Sequence, residues 1–229
     1  MGTSFTTNEI KEILARCDHT LLAQTATLDQ IKALCDDAVK FKTASVCIPP
    51  CYVRDAVEYL NGQLPVCTVI GFPNGYMTTE TKIYETRDAV ARGADEIDVV
   101  INVGFLKDKR FGALIDELRA VRVACHDRVL KVIIENCLLT DEEKVLMCNI
   151  VAEVGAEYIK TSTGFSSGGA TREDVKLFAE NAPKGLKIKA AGGISTLDDA
   201  RDFIALGADR LGTSRVVRIV KEQGLLQEA

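Results

Sequence analysis

The chain has 229 residues, 47% of them hydrophobic, and a formal net charge of −5. Lysine and arginine are scattered rather than gathered into a basic tract, which argues against nucleic acid as the main partner. No apolar run approaches the roughly 18 residues needed to cross a bilayer, and the polar stretch Met1 to Ile10 lacks a basic-then-apolar leader. A soluble, cytoplasmic protein is therefore expected. Eight cysteines occur without any Cys-x-x-Cys pair, and Cys35, Cys67, Cys125 and Cys148 fall in apolar patterns, so reduced thiols are expected. With only His19 and His126 available, a histidine-built metal site is not expected.

In chain order, Thr6-x-x-Glu9 reads as a capping box that opens a first helix, followed by a short strand over Asp18–Leu22. Thr27-x-x-Gln30 opens the next helix, and Ser45–Ile48 forms a second strand that carries Cys47 and stops at Pro49-Pro50. The third strand is Val66–Ile70, and the fourth, Glu96–Ile101, starts directly after Gly93-Ala94-Asp95. Lys131–Glu135 is the fifth, and Thr140-x-x-Glu143 caps the helix behind it. Gly155-Ala156-Glu157 and Gly207-Ala208-Asp209 repeat the earlier tripeptide before the sixth strand, Tyr158–Thr161, and the eighth, Arg210–Gly212. Each glycine reads as a left-handed stop after a helix. The seventh strand is Lys187–Ala190, and Thr171-x-x-Asp174 and Thr196-x-x-Asp199 are looser caps on either side of it. Eight strands alternating with helices predict an α/β fold, a (β/α)₈ TIM barrel in a single domain over residues 1–229. A doubly wound sheet is the alternative.

Barrel active sites lie at the C-terminal ends of the strands. Lys160 and Lys189 hold that position on strands six and seven, each followed by a glycine-containing loop. An amine in a partly desolvated site beside a second cation loses its proton more readily and becomes a nucleophile, so the pair points to Schiff-base chemistry on a carbonyl compound. Period-two alternation puts Glu96 and Asp98 on the inner face of strand four, and Lys131, Glu135, Tyr158 and Lys187 on inner faces as well. For Glu96, Lys131 and Lys187, placed deeper, a structural ion-pair network competes with catalysis. Phosphate sites in barrels use the loops after strands seven and eight together with a helix N-terminus. Gly192 and Gly193, Gly212, Ser214 and Arg215, and Thr163 and Gly164 of the strand-six loop fit that use, against the plainer reading of tight turns and caps.

Lys-Thr-Ser-Thr-Gly (160–164), Glu-Ile-Asp-Val-Val-Ile-Asn (96–102), Asp18-His19-Thr20, Ile70-Gly71-Phe72-Pro73, Lys-Ala-Ala-Gly-Gly-Ile (189–194) and Leu-Gly-Thr-Ser (211–214) together resemble the deoxyribose-phosphate aldolase family, in that family's order and over the whole chain. The resemblance implies a class I aldolase that reversibly cleaves 2-deoxy-D-ribose 5-phosphate to acetaldehyde and D-glyceraldehyde 3-phosphate, with no metal or organic cofactor. It implies that Lys160 forms the imine, that Asp98 and Lys189 relay protons, and that Asp18 and Cys47 lie near the substrate. It also implies a homodimer. Longer members end in a tail whose terminal tyrosine reaches the site; here the chain ends Gln227-Glu228-Ala229 and the last tyrosine is Tyr158, so that role is expected to be absent or filled by another residue. Two other readings stand beside this one: a phosphate-binding barrel isomerase or synthase, and a catalytically inactive sugar-phosphate-binding protein.

Overall fold

The computed structural model describes residues 5–226; the tail Gln227-Glu228-Ala229 lies outside them. Eight strands, β1 (Cys17–Thr20), β2 (Ser45–Ile48), β3 (Val66–Ile70), β4 (Glu96–Val100), β5 (Val129–Ile133), β6 (Tyr158–Lys160), β7 (Lys187–Ala191) and β8 (Arg210–Thr213), run parallel in sequence order. β8 pairs with β1 through Cys17↔Leu211 and Asp18↔Gly212, which closes the barrel and removes the doubly wound alternative. The helices are α1 (Thr7–Leu14), α2 (Leu28–Phe41), α3 (Val53–Leu60), α4 (Thr79–Ala91), α5 (Val103–Lys107), α6 (Phe111–Cys125), α7 (Asp141–Glu153), α8 (Arg172–Asn181), α9 (Leu197–Ala205) and α10 (Arg215–Glu222).

The local signals act as their chemistry dictates. Thr6, Thr27, Thr140 and Thr196 close reciprocal capping boxes with Glu9, Gln30, Glu143 and Asp199. Thr171 caps α8 by accepting from the Asp174 amide. Gly93, Gly155 and Gly207 take φ of 99°, 74° and 114°, values that favour glycine, at the turns before β4, β6 and β8.

Outward-facing residues of the strands, among them Ile97, Val99, Leu130, Val132, Ile159, Ile188 and Leu211, pack against Leu118, Val151, Phe178, Phe203 and Val217 in the main hydrophobic core. Burying each such aliphatic side chain contributes about 1.5–3 kcal/mol. That outer shell offsets the cost of an inner face that is charged rather than apolar.

The strand ends differ from expectation in two places. Lys187 was expected inside the barrel, but it opens β7 at the lower rim and is exposed, its Nζ 5.5 Å from the centre of the Tyr158 ring. Glu135 was expected to continue the inner face of β5. The strand stops at Ile133, and Glu135 turns away in a left-handed conformation with φ 53°.

Candidate active site

The register aligns the inward side chains into a charged layer. Asp98 pairs with Lys131 across β4 and β5, and Lys160 with Lys189 across β6 and β7, which in turn pairs with Arg210 on β8. Asp98 is the hub. Its Oδ2 accepts from Lys160 Nζ and from Lys189 Nζ, each at 2.7 Å, and its Oδ1 accepts from Lys131 Nζ at 2.8 Å. Lys131 also meets Glu96 at 2.6 Å. Asp18 pairs with Lys189, accepts from Arg210 Nη1 at 2.5 Å and from Ser45 Oγ at 2.7 Å. Arg210 reaches Glu96 at 3.2 Å. Three carboxylates, three lysines and one arginine thus occupy one layer, and Lys160, 3% exposed, is the basic side chain nearest the mouth loops that follow β6.

Burial alone would drive all these groups neutral; the pairing reverses that. Burial opposes the charge of Asp98, but the surrounding lysines, Lys131 first, outweigh it and hold the carboxyl well below its usual range. Burial likewise opposes Lys189, yet Asp18 and Asp98 raise it above the ordinary lysine value, so it is an ammonium at neutral pH. Asp18 is held low against burial by Lys189, Lys131 and Arg210.

Cys47, 1% exposed, stands beside Cys67 in register across β2 and β3. Its hydrogen bond with Cys67 holds its thiol below the ordinary value against burial, helped by Lys189 and Lys160, whereas burial pushes Cys67 well above it. Cys47, Cys67 and Asp98 bring their donor atoms within 4.8 Å of one another, a set a soft cation could use. However, Lys131 already donates to Cys67 at 3.2 Å and to Asp98, so an added dication would sit among ammonium groups.

Above this layer lies a cleft of about 450 Å³ lined by the mouth loops of β1, β6, β7 and β8. It gathers the whole set expected to hold phosphate: Thr163, Gly164, Gly192, Gly193, Gly212, Ser214 and Arg215. Ser214 is the N-cap residue of α10, and its hydroxyl does not cap the helix. The Arg215 amide donates to Thr213 Oγ1 at 3.1 Å, and the Arg215 guanidinium donates to Ser195 Oγ at 3.0 Å. Two glycines are sterically required. A Cβ at Gly212 would meet Lys189 Cε at 3.2 Å and Ala191 Cβ at 2.9 Å, so the cleft floor rests directly on the Lys189 side chain. A Cβ at Gly192, where φ is +77°, would meet the Gly169 Cα at 3.0 Å.

The loop carrying Lys160 is clamped from β5. Glu135 accepts from the Thr163 amide at 3.2 Å and from its hydroxyl at 2.5 Å; Thr163 Oγ1 accepts from the Phe165 amide at 3.0 Å. Ser162 donates to Asn136 Oδ1 at 2.6 Å. Phe165 meets Phe72 edge to face at 5.2 Å, between the polar cleft and an apolar lobe lined by Leu22, Tyr52, Val69 and Pro73.

The expected residues therefore fall into two groups. Lys160, Lys189, Asp98, Asp18 and Cys47 meet in the charged layer, and the other seven line the cleft. Asp18 is fully buried under Lys189 and Arg210 rather than among the cleft residues. Sequence reasoning missed Arg210, whose position two residues before Gly212 puts it on the same strand face. It also missed Ser195, two residues after Gly193, the hydrogen-bonding role of Thr213, directly after Gly212, and the clamping role of Glu135 and Asn136.

A parallel barrel with ionisable groups gathered at the C-terminal ends of its strands has the architecture of a barrel enzyme, and fold and side chains alone define that class. The chain belongs to the DeoC/LacD aldolase family, whose family model matches residues 12–225. A deoxyribose-phosphate aldolase of Streptococcus agalactiae is 56% identical over 94% of this chain and 96% of its own. A crystal structure from Coccidioides immitis, of a protein provisionally named a deoxyribose-phosphate aldolase, superposes with a TM-score of 0.90 at 41% identity, covering 94% of this chain and 87% of that one. The deoxyribose phosphate aldolase of Aeropyrum pernix, described as a tetramer, gives 0.85 at 29% identity over 95% and 93%.

Proposed function

We propose that this chain, acting as one catalytic domain, reversibly cleaves 2-deoxy-D-ribose 5-phosphate to acetaldehyde and D-glyceraldehyde 3-phosphate through an imine on Lys160. The observation that carries the reading is the single Asp98 oxygen that accepts from both Lys160 and Lys189 at 2.7 Å. One amine can then act as nucleophile while the other stays an ammonium, with a carboxylate to pass protons between them.

Neutral Lys160 adds to the C1 aldehyde of the open-chain sugar. The Asp98–Lys189 pair protonates the departing carbinolamine hydroxyl, which leaves as water, and the protonated imine becomes the electron sink. The C3 hydroxyl gives up its proton to the Asp98–Lys189 pair, which was left one proton short by the dehydration, and the C2–C3 bond breaks. Its electrons move into an enamine, and C3 becomes the aldehyde carbon of glyceraldehyde 3-phosphate. Protonation at C2 and addition of water release acetaldehyde and restore the Lys160 amine. The 5-phosphate sits in the glycine-lined cleft, on the backbone amides of the β7 and β8 loops and the N-terminus of α10. The lysine supplies the electron sink, so the reaction needs no added cofactor.

The relatives' names support this substrate over the isomerase, synthase and inactive-binder readings. The eight cysteines, all free thiols, support a reducing, cytoplasmic setting. The family resemblance supports a homodimer, while the Aeropyrum pernix relative is described as tetrameric; light scattering on the purified protein decides between them. The function itself is tested by assaying glyceraldehyde 3-phosphate release from 2-deoxyribose 5-phosphate. Turnover that Lys160→Leu abolishes is expected, and undiminished turnover in that variant would overturn the reading.

A further inference from the structure

We propose that Arg210 is a positioning residue for the imine chemistry: its permanent cation at the floor of the charged layer keeps the buried carboxylates from drawing a proton onto Lys160. The inference deepens the proposed function and rests on Lys160 being the nucleophile.

The charges of the layer carry the argument. Asp18, Glu96 and Asp98 bring three negative charges, and Lys131, Lys189 and Arg210 bring three positive ones. The layer is balanced when Lys160 is neutral, and a protonated Lys160 leaves one cation in excess. Without Arg210 the balance inverts. The same three carboxylates would then face two lysines, and a proton on Lys160 would restore neutrality. Arg210 thus decides which protonation state of Lys160 the surroundings favour, although it lies below Gly212 and is not among the cleft-lining residues.

Two continuous paths connect it to the nucleophile. One runs from Arg210 through Asp18, Lys189 and Asp98 to Lys160; the other runs through Glu96, Lys131 and Asp98. Arginine suits this place because its charge is fixed and its planar fork spans two carboxylates at once. Its Nη1 meets Asp18 at 2.5 Å and Glu96 at 3.2 Å, and the guanidinium lies 5.5 Å from the centre of the Tyr158 ring. The other groups of the layer that bear on Lys160 are Asp98 on β4, Lys131 on β5, Tyr158 on its own strand, Lys189 on β7, and the thiols of Cys47 on β2 and Cys67 on β3.

A purely structural Arg210, tying β8 to β1 and β4, would lower stability and turnover without moving the pH at which the enzyme switches on. The test is the pH profile of kcat/KM, together with the pH profile of borohydride trapping by acetaldehyde, for the wild type and four variants. Arg210→Met should move the acid limb up by on the order of one pH unit, the size of effect a single charge exerts in a partly desolvated layer. Arg210→Lys should keep the limb within a few tenths of a unit. Glu96→Gln removes one negative charge instead, and should move the limb down. Arg210→Met combined with Glu96→Gln should bring it back toward the wild type. If Arg210→Met does not fold, the downward shift in Glu96→Gln still decides the matter. A limb that stays fixed in both single variants, with only its height reduced, overturns the proposal. Mapping the trapped residue in the wild type separates the two claims. A label on Lys160 with unmoved limbs refutes Arg210's role alone, whereas a label elsewhere refutes the Lys160 reading itself.

Discussion

Lowering the pH from 7 to 5 should cost this protein about 2 kcal/mol of stability through one residue, His19, and His19→Gln should abolish most of that loss. His19 points outward from β1, is 6% exposed, and its Nδ1 has no hydrogen-bond partner among the described residues. Burial pushes its pKa down from 6.5 to about 4; Asp37 and a hydrogen bond to the Thr213 backbone oppose the shift, and Lys221 assists it. Between those two values the unfolded chain binds a proton that the folded chain refuses, so stability falls as pH drops from about 6.5 toward 4. With 4 for the folded and 6.5 for the unfolded state, the loss is about 2.0 kcal/mol at pH 5 against about 0.2 kcal/mol at pH 7. The carboxylates held low by ion pairs, Asp18 and Asp98, work in a lower window. Their contribution is lost only as pH falls below about 4, so pH 5 isolates His19. Glutamine keeps an amide donor for the Thr213 carbonyl without the titration. Urea unfolding at pH 7 and pH 5 measures the difference for both proteins. An equal loss in wild type and His19→Gln would refute the assignment.

Three further outcomes follow from the site. Lys189→Arg keeps a positive charge but cannot exchange a proton near neutral pH, so kcat should fall by roughly a hundredfold or more; near-normal turnover would reduce Lys189 to a fixed charge. Ser214→Glu places a carboxylate in the cleft and should lower kcat/KM for the phosphorylated sugar roughly tenfold more than for unphosphorylated deoxyribose, and equal losses would move the phosphate elsewhere. High acetaldehyde should inactivate the wild type progressively, because condensation and dehydration yield an unsaturated aldehyde that a thiolate attacks. Cys47, with its thiol held below the ordinary value, is the expected target, so Cys47→Met should survive longer; loss at the same rate would turn attention to the exposed Cys51.

The barrel was legible because its punctuation is local. A glycine with φ near 100° at Gly93 or Gly207 is written in the tripeptide itself, and each strand core begins within two residues of where period-two alternation puts it. Alternation reports which face a side chain takes and not whether that end of the strand is covered, so Lys187, two residues before Lys189 on the same face, reads as an interior residue although it is exposed and Lys189 is fully buried. Glu135 was misplaced for a different reason. A left-handed turn at a glutamate is set by its bonds to Thr163, 28 residues away, and has no local signature. Arg210 went unseen because its meaning comes from Asp18 and Glu96, on strands remote in sequence.

Of the two buried lysines that donate to Asp98 Oδ2, Lys160 is expected to become the imine and Lys189 is not. Reduction with borohydride in the presence of 2-deoxyribose 5-phosphate fixes the imine as a stable amine, and peptide mass spectrometry names the residue that carries it. The added mass is expected on the peptide containing Lys160 and not on the peptide containing Lys189; a label on Lys189, or no label with turnover intact, would contradict an imine on Lys160.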